Sequence, residues 1–289
     1  MQLSPLCSGS SGNATYVEMG GLRLLVDAGA TGRRIEALLG EAGASAGALD
    51  AILLTHEHID HVQGAGVLAR RYGLPVYAAA ECFAALPAAV GAIPPGQVRV
   101  FEPDRPFRLG GGEILPFSTP HDSAHAVGFL FEDADGRCAV MTDVGHVSER
   151  MLDLVTGCGV LLIEANHDVD MLLCGAYPYP LKRRILSGTG HLCNEDAAAA
   201  IVRLAKRGMR EFLLGHLSRE NNTPELAAVT VRAALEEMHA LYRRGHTPLV
   251  KPSKGCGACS LKALCLPALT RAGSAARYLA EAIGGESEP

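Results

Sequence analysis

The sequence contains no tryptophan, few aromatic residues and no long apolar run. Aromatic residues make up 5% of its 289 positions, and no stretch approaches the roughly 18 apolar residues of a membrane span. The amino terminus also lacks the basic region followed by an apolar one that marks a secretory leader. We therefore expect a cytoplasmic protein with no membrane partner.

Positive charge is scarce as well. Lysine and arginine number 26 against 31 aspartate and glutamate residues, which gives a net charge of −5. This balance excludes the global basic field that is typical of nucleic-acid-binding domains. Any contact with nucleic acid therefore has to depend on a local site.

Cysteine, in contrast, is abundant, with nine residues. An odd number of cysteines without a leader argues against a disulfide framework and for a reducing compartment. Hydrophobic residues at 48% and 33 scattered glycines exclude a disordered or collagen-like chain. The length suits one large domain or two small ones with a sizeable core.

Short apolar runs, most of them followed by a His, Asp or Glu, recur along the chain. They occupy 22–26, 51–54, 114–117, 138–141, 160–163 and 211–214. Runs of this length between turn signals predict strands that are covered on both faces. Asp135-Gly136 predicts a hairpin turn. Helices are predicted at 31–41, 63–72, 81–90, 195–207 and 224–243.

The densest group of polar residues is Thr55-His-Glu-His-Ile-Asp-His61. Burying these side chains unpaired is costly, whereas neutral imidazole and carboxylate are ligands that Zn and similar divalent ions prefer. His56 and His58 can reach one ion from an extended turn. Asp60 and His61, at the start of the next helix, can face a second ion. The alternative interpretation is a solvated polar turn.

This His-x-His-x-Asp-His pattern resembles the signature of the metallo-β-lactamase fold superfamily. The resemblance implies an α/β (α+β) fold, a four-layer αββα sandwich with two metal ions at the edge of its sheets. Asp27 is similar to a structural acid that supports the metal loop in that family. The resemblance also implies the ligand sets: His56, His58 and His121 for the first ion, Asp60, His61 and His216 for the second, and Asp143 between them.

Two of these assignments have a competitor. His125 lies four residues after His121, but His121 follows its strand more directly and is favoured. Asp143 could instead cap a helix that begins near Ser148, although that helix lies rather far along the chain.

Further segments resemble the YycJ (WalJ) group of ribonuclease Z-like phosphodiesterases. Together they span about 2–245, and they include 7–13, 121–124, 162–168, 177–197 and 214–222. The resemblance implies an enzyme similar to DNA exonucleases. The chain lacks the inserted domain of ribonuclease J-type nucleases and the arm of ribonuclease Z, so a role in tRNA processing is not supported.

Three residues are predicted to be catalytic. Asp60 lies where it can orient the attacking water or accept its proton. His191, in a segment that resembles a phosphate-contacting segment of ribonuclease Z, is the candidate proton donor or phosphate clamp. Glu164 could hold His191 in the required tautomer. His191 could also simply precede a helix that is capped by Asn194.

Each candidate phosphate-binding residue also has a structural interpretation. A Gly/Ser turn can offer backbone N–H groups to a phosphate, but a structural turn fits equally well. A three-residue basic run can bind the nucleic-acid backbone, and a solvated helix face is the alternative. His167 could contact phosphate or only hydrogen-bond residues around the metal ligands. The candidates are Ser8, Ser10 and Asn13 in the turn, His167, and Lys182, Arg183 and Arg184 in the basic run.

The composition changes beyond Leu249, which predicts a hydrolase domain over 1–250 and a C-terminal extension over 251–289. The extension contains Cys256, Cys259 and Cys265, and this C-x2-C-x5-C spacing looks like that of AddB-type iron–sulfur nucleases. A [4Fe–4S] cluster is favoured over zinc and over unligated thiols. Cys174 is favoured as its fourth ligand, with Cys193 as the alternative.

The sequence therefore predicts an enzyme with two divalent ions, Zn, Mn or Fe, that hydrolyses phosphodiesters in nucleic acid. A DNA exonuclease is the favoured function, with DNA preferred over RNA as the partner. The first alternative is a metal-dependent hydrolase of a small phosphodiester or thioester. The second is a redox- or metal-responsive binding protein in which hydrolysis is vestigial.

Overall fold

The computed structural model describes residues Met1–Arg244, and for Leu241, Tyr242 and Arg244 only the backbone. Residues Met1–Glu236 form one compact unit, and a second unit begins at Glu237. The predicted boundary at 250 and the extension 251–289 lie outside the described residues. No helix within the described range is both long and apolar enough to cross a bilayer.

Two six-stranded sheets form the centre of the first unit. In the first sheet, β1 to β3 are antiparallel and β3 to β6 are parallel. Its strands, in spatial order, are β1 (Gln2–Cys7), β2 (Ala14–Met19), β3 (Leu22–Val26), β4 (Ala51–Leu53), β5 (Val76–Ala78) and β6 (Val98–Val100).

The second sheet is also mixed, with its antiparallel part at one side and three parallel strands at the other. The strands, in spatial order, are β12 (Glu211–Gly215), β11 (Val160–Glu164), β10 (Gly136–Met141), β9 (Val127–Asp133), β8 (Gly112–Ser118) and β7 (Phe107–Leu109).

The helices follow or connect these strands. In the described chain they are α1 (Gly32–Glu41), α2 (Ile59–Val62), α3 (Ala65–Tyr72), α4 (Ala80–Ala85), α5 (Glu149–Val155), α6 (Val169–Cys174), α7 (Tyr179–Ile185), α8 (Asn194–Lys206) and α9 (Pro224–Arg244).

Alternation along β10 and β11 shows why the sheets need cover on both faces. Val140 and Leu162 belong to a core shared with the first sheet, whereas Met141 and Leu161 belong to a second core with α5 and α8. Helices α1 and α3 bury their apolar residues in the first core. Strands that are apolar at consecutive residues present an apolar surface on both faces of the sheet, and burying both faces produces the predicted four-layer αββα sandwich.

The predicted helix over 81–90 is wrong in its second half. Helix α4 ends at Ala85, and Ala88–Val90 forms only a short 3-10 helix. Pro87 lies between them, and it disfavours helical geometry at Leu86 and lacks an N–H for the helix ladder.

The predicted cap of α8 is also wrong. Cys193 occupies the N-cap position, and its Sγ accepts a hydrogen bond from the Asp196 N–H at 3.4 Å. Asn194 is instead the first residue of the helix, where it is fully buried and its side chain pairs with that of Asn222.

Candidate metal centre

The predicted metal ligands meet at one edge of the two sheets. Strands β3 and β4 are parallel, as are β10, β11 and β12, so that their carboxyl ends lie together within each sheet. The residues that follow these ends carry the site, as is usual for polar loops held by a rigid sheet.

Three strand ends bear a residue in the left-handed region, which is uncommon without glycine. They are Asp27 (φ 60°), Asp143 (φ 57°) and His216 (φ 54°). In the described chain Asp104 is the one other non-glycine residue with a positive φ. Such backbone strain, typically about 1–3 kcal/mol per residue, is found where the surrounding structure holds a functional side chain in place.

Six of the seven predicted ligands form two clusters of three residues each. In each cluster the potential ligand atoms lie within 4.8 Å of one another. The first contains His56, His58 and His121, and the second contains Asp60, His61 and His216. Asp143 lies between them, with one carboxylate oxygen 3.2 Å from His61 Nε2 and the other 3.6 Å from both His121 Nε2 and His216 Nε2.

Protein groups close to Nδ1 orient four of the five imidazoles. Nδ1 of His61 lies 2.8 Å from Asp27 Oδ2, and Nδ1 of His216 lies 2.7 Å from Glu164 Oε1. Nδ1 of His121 lies 3.1 Å from the Gly190 carbonyl oxygen. Nδ1 of His56 lies 3.0 Å from Thr55 Oγ1. A partner at Nδ1 leaves Nε2 as the nitrogen available to a metal ion.

The atoms left over at the centre are those that a metal would take. His56 Nε2, His216 Nε2 and Asp143 Oδ2 are buried without a hydrogen-bond partner among the described residues. Buried polar atoms of this kind are costly unless a ligand compensates them. Imidazole nitrogen and carboxylate oxygen suit Zn, Mn and Fe, so the residues present fit a pair of divalent ions.

The ionisable side chains of the centre shift one another's pKa values. Burial opposes the charge on His61, but Asp143 and Asp27 outweigh it and raise the pKa of His61 to about 9. Burial and the neighbouring His61 lower the pKa of His56 well below its ordinary value. The His61 ring, which faces two carboxylates, is therefore charged in the metal-free protein. The His56 ring, which lies among other imidazoles, is neutral.

Thr55 and Asp27 support the loop that carries the segment 55–61. Asp27 Oδ1 accepts hydrogen bonds from the Thr55 N–H at 2.8 Å and the Thr55 hydroxyl at 3.0 Å. Asp27 is 3% exposed, so its carboxylate contacts protein groups and not solvent. This agrees with the supporting position expected for Asp27, while Thr55 was not singled out from the sequence.

Glu164 joins the predicted catalytic residue His191 to the predicted metal ligand His216. Its Oε1 lies 2.7 Å from Nδ1 of both rings, and its Oε2 accepts the Val144 N–H at 2.8 Å. Burial would raise the pKa of Glu164, but the two histidines outweigh it and keep that pKa far below its ordinary value. Burial likewise opposes the charge on His191, and Glu164 overcomes this and raises the pKa of His191.

The Gly/Ser turn lies against the metal centre, and two of its side chains, Ser8 and Asn13, form hydrogen bonds within the protein. Ser8 Oγ accepts the His216 N–H at 2.6 Å. Asn13 Oδ1 accepts the Gly9 N–H at 2.8 Å, and Asn13 Nδ2 lies 3.0 Å from His61 Nε2. Ser10 is exposed. Phosphate binding by these three residues stays a prediction.

The basic run on α7 divides into three different environments. The Lys182 ammonium donates to the Leu173 and Gly175 carbonyl oxygens at 2.7 Å each. Arg184 pairs with Asp122, whose Oδ1 is 3.5 Å from His121 Nε2. Arg183 is exposed, with no ion pair to any described residue. Their phosphate contacts stay predictions.

His167 is fully buried next to this region. Neither of its ring nitrogens has a hydrogen-bond partner among the described residues, and burial lowers its pKa to about 4. The ring is therefore neutral, and its predicted contact with phosphate is likewise untested.

Sequence reasoning missed two further supporting residues. Glu57 Oε1 accepts the Ala124 N–H at 2.7 Å, which ties the segment 55–61 to the loop of His121. Asn166 Nδ2 donates to the His216 carbonyl oxygen at 2.9 Å. Glu57 lies inside the segment 55–61, and Asn166 lies two residues after Glu164. Their closeness in sequence to predicted site residues is the signal that could have identified them.

The two covered sheets and this ligand set define a protein of the metallo-β-lactamase fold, a metal-dependent hydrolase. A family model described as the beta-lactamase superfamily domain matches residues 22–216, and the chain belongs to this superfamily.

The chain is 42% identical to "Exodeoxyribonuclease YycJ" of Bacillus anthracis over 237 residues, which cover 82% of this chain and 90% of the relative. It is 44% identical to "Exodeoxyribonuclease WalJ" of Streptococcus pneumoniae over 79% of this chain and 86% of the relative. The fold is similar to the metallo-β-lactamase fold protein YhfI of Bacillus subtilis, with a TM-score of 0.61, 22% identity and coverage of 81% and 92% of the two chains.

Proposed function

We propose that this chain is a dinuclear metal-dependent phosphodiesterase that degrades DNA from an end. The observation that carries this proposal is the anchoring of four imidazoles through Nδ1 around two carboxylates, with unpartnered Nε2 and carboxylate atoms at the centre. The two relatives named as exodeoxyribonucleases support DNA as the substrate, because they cover most of this chain.

The first cluster and Asp143 would hold one ion, and the second cluster and Asp143 would hold the other. Bound there, divalent ions supply Lewis-acid polarisation of a phosphodiester and a water that is acidic enough to attack near neutral pH. We propose Zn, Mn or Fe as the metal, because the donor set combines several imidazoles with carboxylates.

Asp60 is the carboxylate of the centre that is partly open to solvent, since its side chain is 24% exposed and that of Asp143 is 3% exposed. Its Oδ2 lies 3.7 Å from both His61 Nε2 and His216 Nε2. An oxygen in this position can orient the attacking water and accept its proton, in addition to binding metal.

His191 provides the proton for the leaving oxygen. Nδ1 of His191 donates a hydrogen bond to Glu164, so the other proton of the charged His191 ring is on Nε2. Glu164 favours the charged form of His191, so the acid is in its proton-donating state over a wider range of pH.

A metal-ligand variant with a matched control tests this proposal. His121→Ala should lose about 10³-fold or more in hydrolysis of end-labelled linear DNA, together with part of the bound metal, because metal catalysis is worth several kcal/mol. His125→Ala should retain both, since His125 is four residues away and its ring contacts Ser118 Oγ at 3.0 Å.

Closed circular DNA and an RNA of the same sequence complete the experiment. An exonuclease acting on DNA leaves the circle intact and prefers the DNA strand. Degradation of the circle would contradict an exonuclease, and hydrolysis of small phosphodiesters or thioesters alone would replace a nuclease with the first alternative.

We also propose that Cys256, Cys259 and Cys265 bind a [4Fe–4S] cluster with Cys174 as the fourth ligand. Cys174 is exposed at the end of α6, whereas Cys193 is buried and caps α8, which supports Cys174 over Cys193. Iron and sulfide measured in anaerobically purified protein should fall in Cys256→Ser and Cys174→Ser and persist in Cys193→Ser.

A further inference from the structure

A cavity of 180 Å³ lies directly behind the predicted proton donor. His191 and Gly190 belong to its wall, and both also lie beside the predicted metal ligand His121. The Gly190 carbonyl oxygen is 3.1 Å from His121 Nδ1, and the His191 ring centroid is 5.0 Å from that of His121. A group in this cavity would therefore be attached to, or next to, the phosphodiester that is cleaved.

The lining combines apolar side chains with a few polar groups. Tyr177, Leu181 and Ile185 provide an aromatic ring and two aliphatic side chains from α7 and the segment before it. Asn166, which is 4% exposed, and the hydroxyl of Ser218, which is 5% exposed, are also part of the wall. An apolar wall with a small number of buried polar groups is typical of a site for a flat organic ligand.

The volume limits the ligand to a single ring system. Sites for complete drug-sized ligands measure about 300–1,000 Å³, so 180 Å³ accommodates one base but not two stacked nucleotides. A phosphate is a poorer occupant. The arginine of the lining, Arg184, is already paired with Asp122, and no other Lys or Arg is among the described lining residues.

We propose that this cavity holds the terminal nucleobase of the DNA strand, with Tyr177 as its aromatic contact. The inference rests on the proposed exonuclease function and deepens it. A base held in this cavity would place the adjoining phosphodiester next to the metal centre, because Gly190 and His191 belong to the wall and lie beside His121.

The test uses the full chain and single-stranded oligonucleotides of one sequence. Each carries a natural base or a base-free tetrahydrofuran residue at the 5′ end, at the 3′ end or in the middle. Release of the first nucleotide is followed in single turnover for the wild type, Tyr177→Ala and Tyr179→Ala. Tyr179 is the matched control, because it lies two residues away, is 72% exposed and is absent from the cavity wall.

Tyr177→Ala should slow release of a natural terminal nucleotide about 10-fold or more, as expected for loss of base–aromatic stacking. The wild type should lose a similar factor on a base-free residue at the digested end, and none on one in the middle. Tyr177→Ala and the wild type should then cut the base-free end equally fast, because the two changes remove the same contact. Tyr179→Ala should behave as the wild type throughout.

A wild type that releases base-free and natural ends equally fast would overturn the inference and leave the exonuclease proposal intact. Slower cutting of the base-free end by Tyr177→Ala than by the wild type would also overturn it, since Tyr177 would then act through the fold. A rate that depends on a terminal phosphate instead of the base would assign the cavity to phosphate. Failure of the wild type to digest DNA with Zn, Mn or Fe would remove the exonuclease proposal itself.

Discussion

At the scale of single residues, Glu164 is the group on which both halves of the site depend. One carboxylate oxygen contacts Nδ1 of a predicted metal ligand, His216, and Nδ1 of the predicted acid, His191, at 2.7 Å each. The carboxylate is completely buried, so its negative charge is compensated by these rings and by backbone N–H groups. We therefore expect the proposed metal binding and proton donation to be coupled through this one side chain.

Glu164→Gln tests this coupling. Metal affinity should fall about 10- to 100-fold, as is typical when a partner of a ligand is altered. Glu164 raises the pKa of His191, so its loss lowers that pKa and the acid loses its proton at a lower pH. The alkaline limb of the kcat profile should therefore move to lower pH.

The control for this change is Glu149→Gln, in which an exposed glutamate that pairs with Arg203 and Arg207 is altered. It should leave metal affinity and the pH profile unchanged. A Glu164→Gln enzyme with the alkaline limb of the wild type would separate Glu164 from proton donation.

A second residue-scale prediction concerns proton release on metal binding. Asp143 and Asp27 overcome burial and raise the pKa of His61 to about 9, so the metal-free protein holds a proton on this ring at about pH 7.5. Metal requires a free Nε2, and binding should therefore release this proton and tighten as pH rises towards 9. Calorimetry in two buffers of different ionisation enthalpy measures the release, and equal heats in both would contradict it.

At the scale of elements, the site depends on close backbone packing between a strand end and a helix start. Gly29, two residues after Asp27, packs against α2 so tightly that an added Cβ would lie 1.6 Å from the Asp60 carbonyl oxygen. The Asn13 N–H donates to the same carbonyl at 2.8 Å. Strand β3, the Gly/Ser turn and helix α2 are therefore held together by backbone contacts.

Gly29→Ala should destabilise the protein by about 3 kcal/mol or more, because backbone cannot move aside as a side chain can. Gly40→Ala is the matched control in α1, where an added Cβ meets nothing within 4 Å, and it should stabilise the protein by about 0.4–1 kcal/mol. Chemical denaturation of both variants gives the comparison, and equal stability of the two would refute close packing at Gly29.

At the scale of the whole molecule, a protein of net charge −5 is proposed to act on a polyanion. Two divalent ions would add about four positive charges where the phosphate has to lie, so a broad basic surface is less necessary. The exposed Arg183 on α7 is the described cation best placed to add a phosphate contact, because it has no ion pair with any described residue and lies on the helix that lines the cavity.

Salt dependence measures this contribution. DNA affinity should fall with salt, and Arg183→Ala should reduce the slope of log K against log salt by about 0.7 for a single strand. Arg33→Ala, which alters an exposed arginine on α1, should leave the slope unchanged. An unchanged slope in Arg183→Ala would remove this phosphate contact.

The residues that meet at the candidate metal centre could be predicted because their signals are local. Three histidines and an aspartate lie within six consecutive positions, and the remaining ligands follow apolar runs that are recognisable as strands. The αββα sandwich followed from the family resemblance and from strands that are apolar on both faces. The ends of α4 and α8 were predicted less well. Pro87 prevents α4 from continuing, and Cys193 takes the N-cap position of α8 that Asn194 was expected to hold.

The sequence by itself therefore predicted which side chains meet at the candidate metal centre and that covered sheets carry them. Only the tertiary structure decided how His61, His121 and His216 are oriented. The groups at their Nδ1 atoms are Asp27, the Gly190 carbonyl and Glu164, and each is distant in sequence from its ring. The tertiary structure also decided that Tyr177 and His191 line one cavity. A contact between such residues depends on the packing of complete elements, which composition and spacing do not encode.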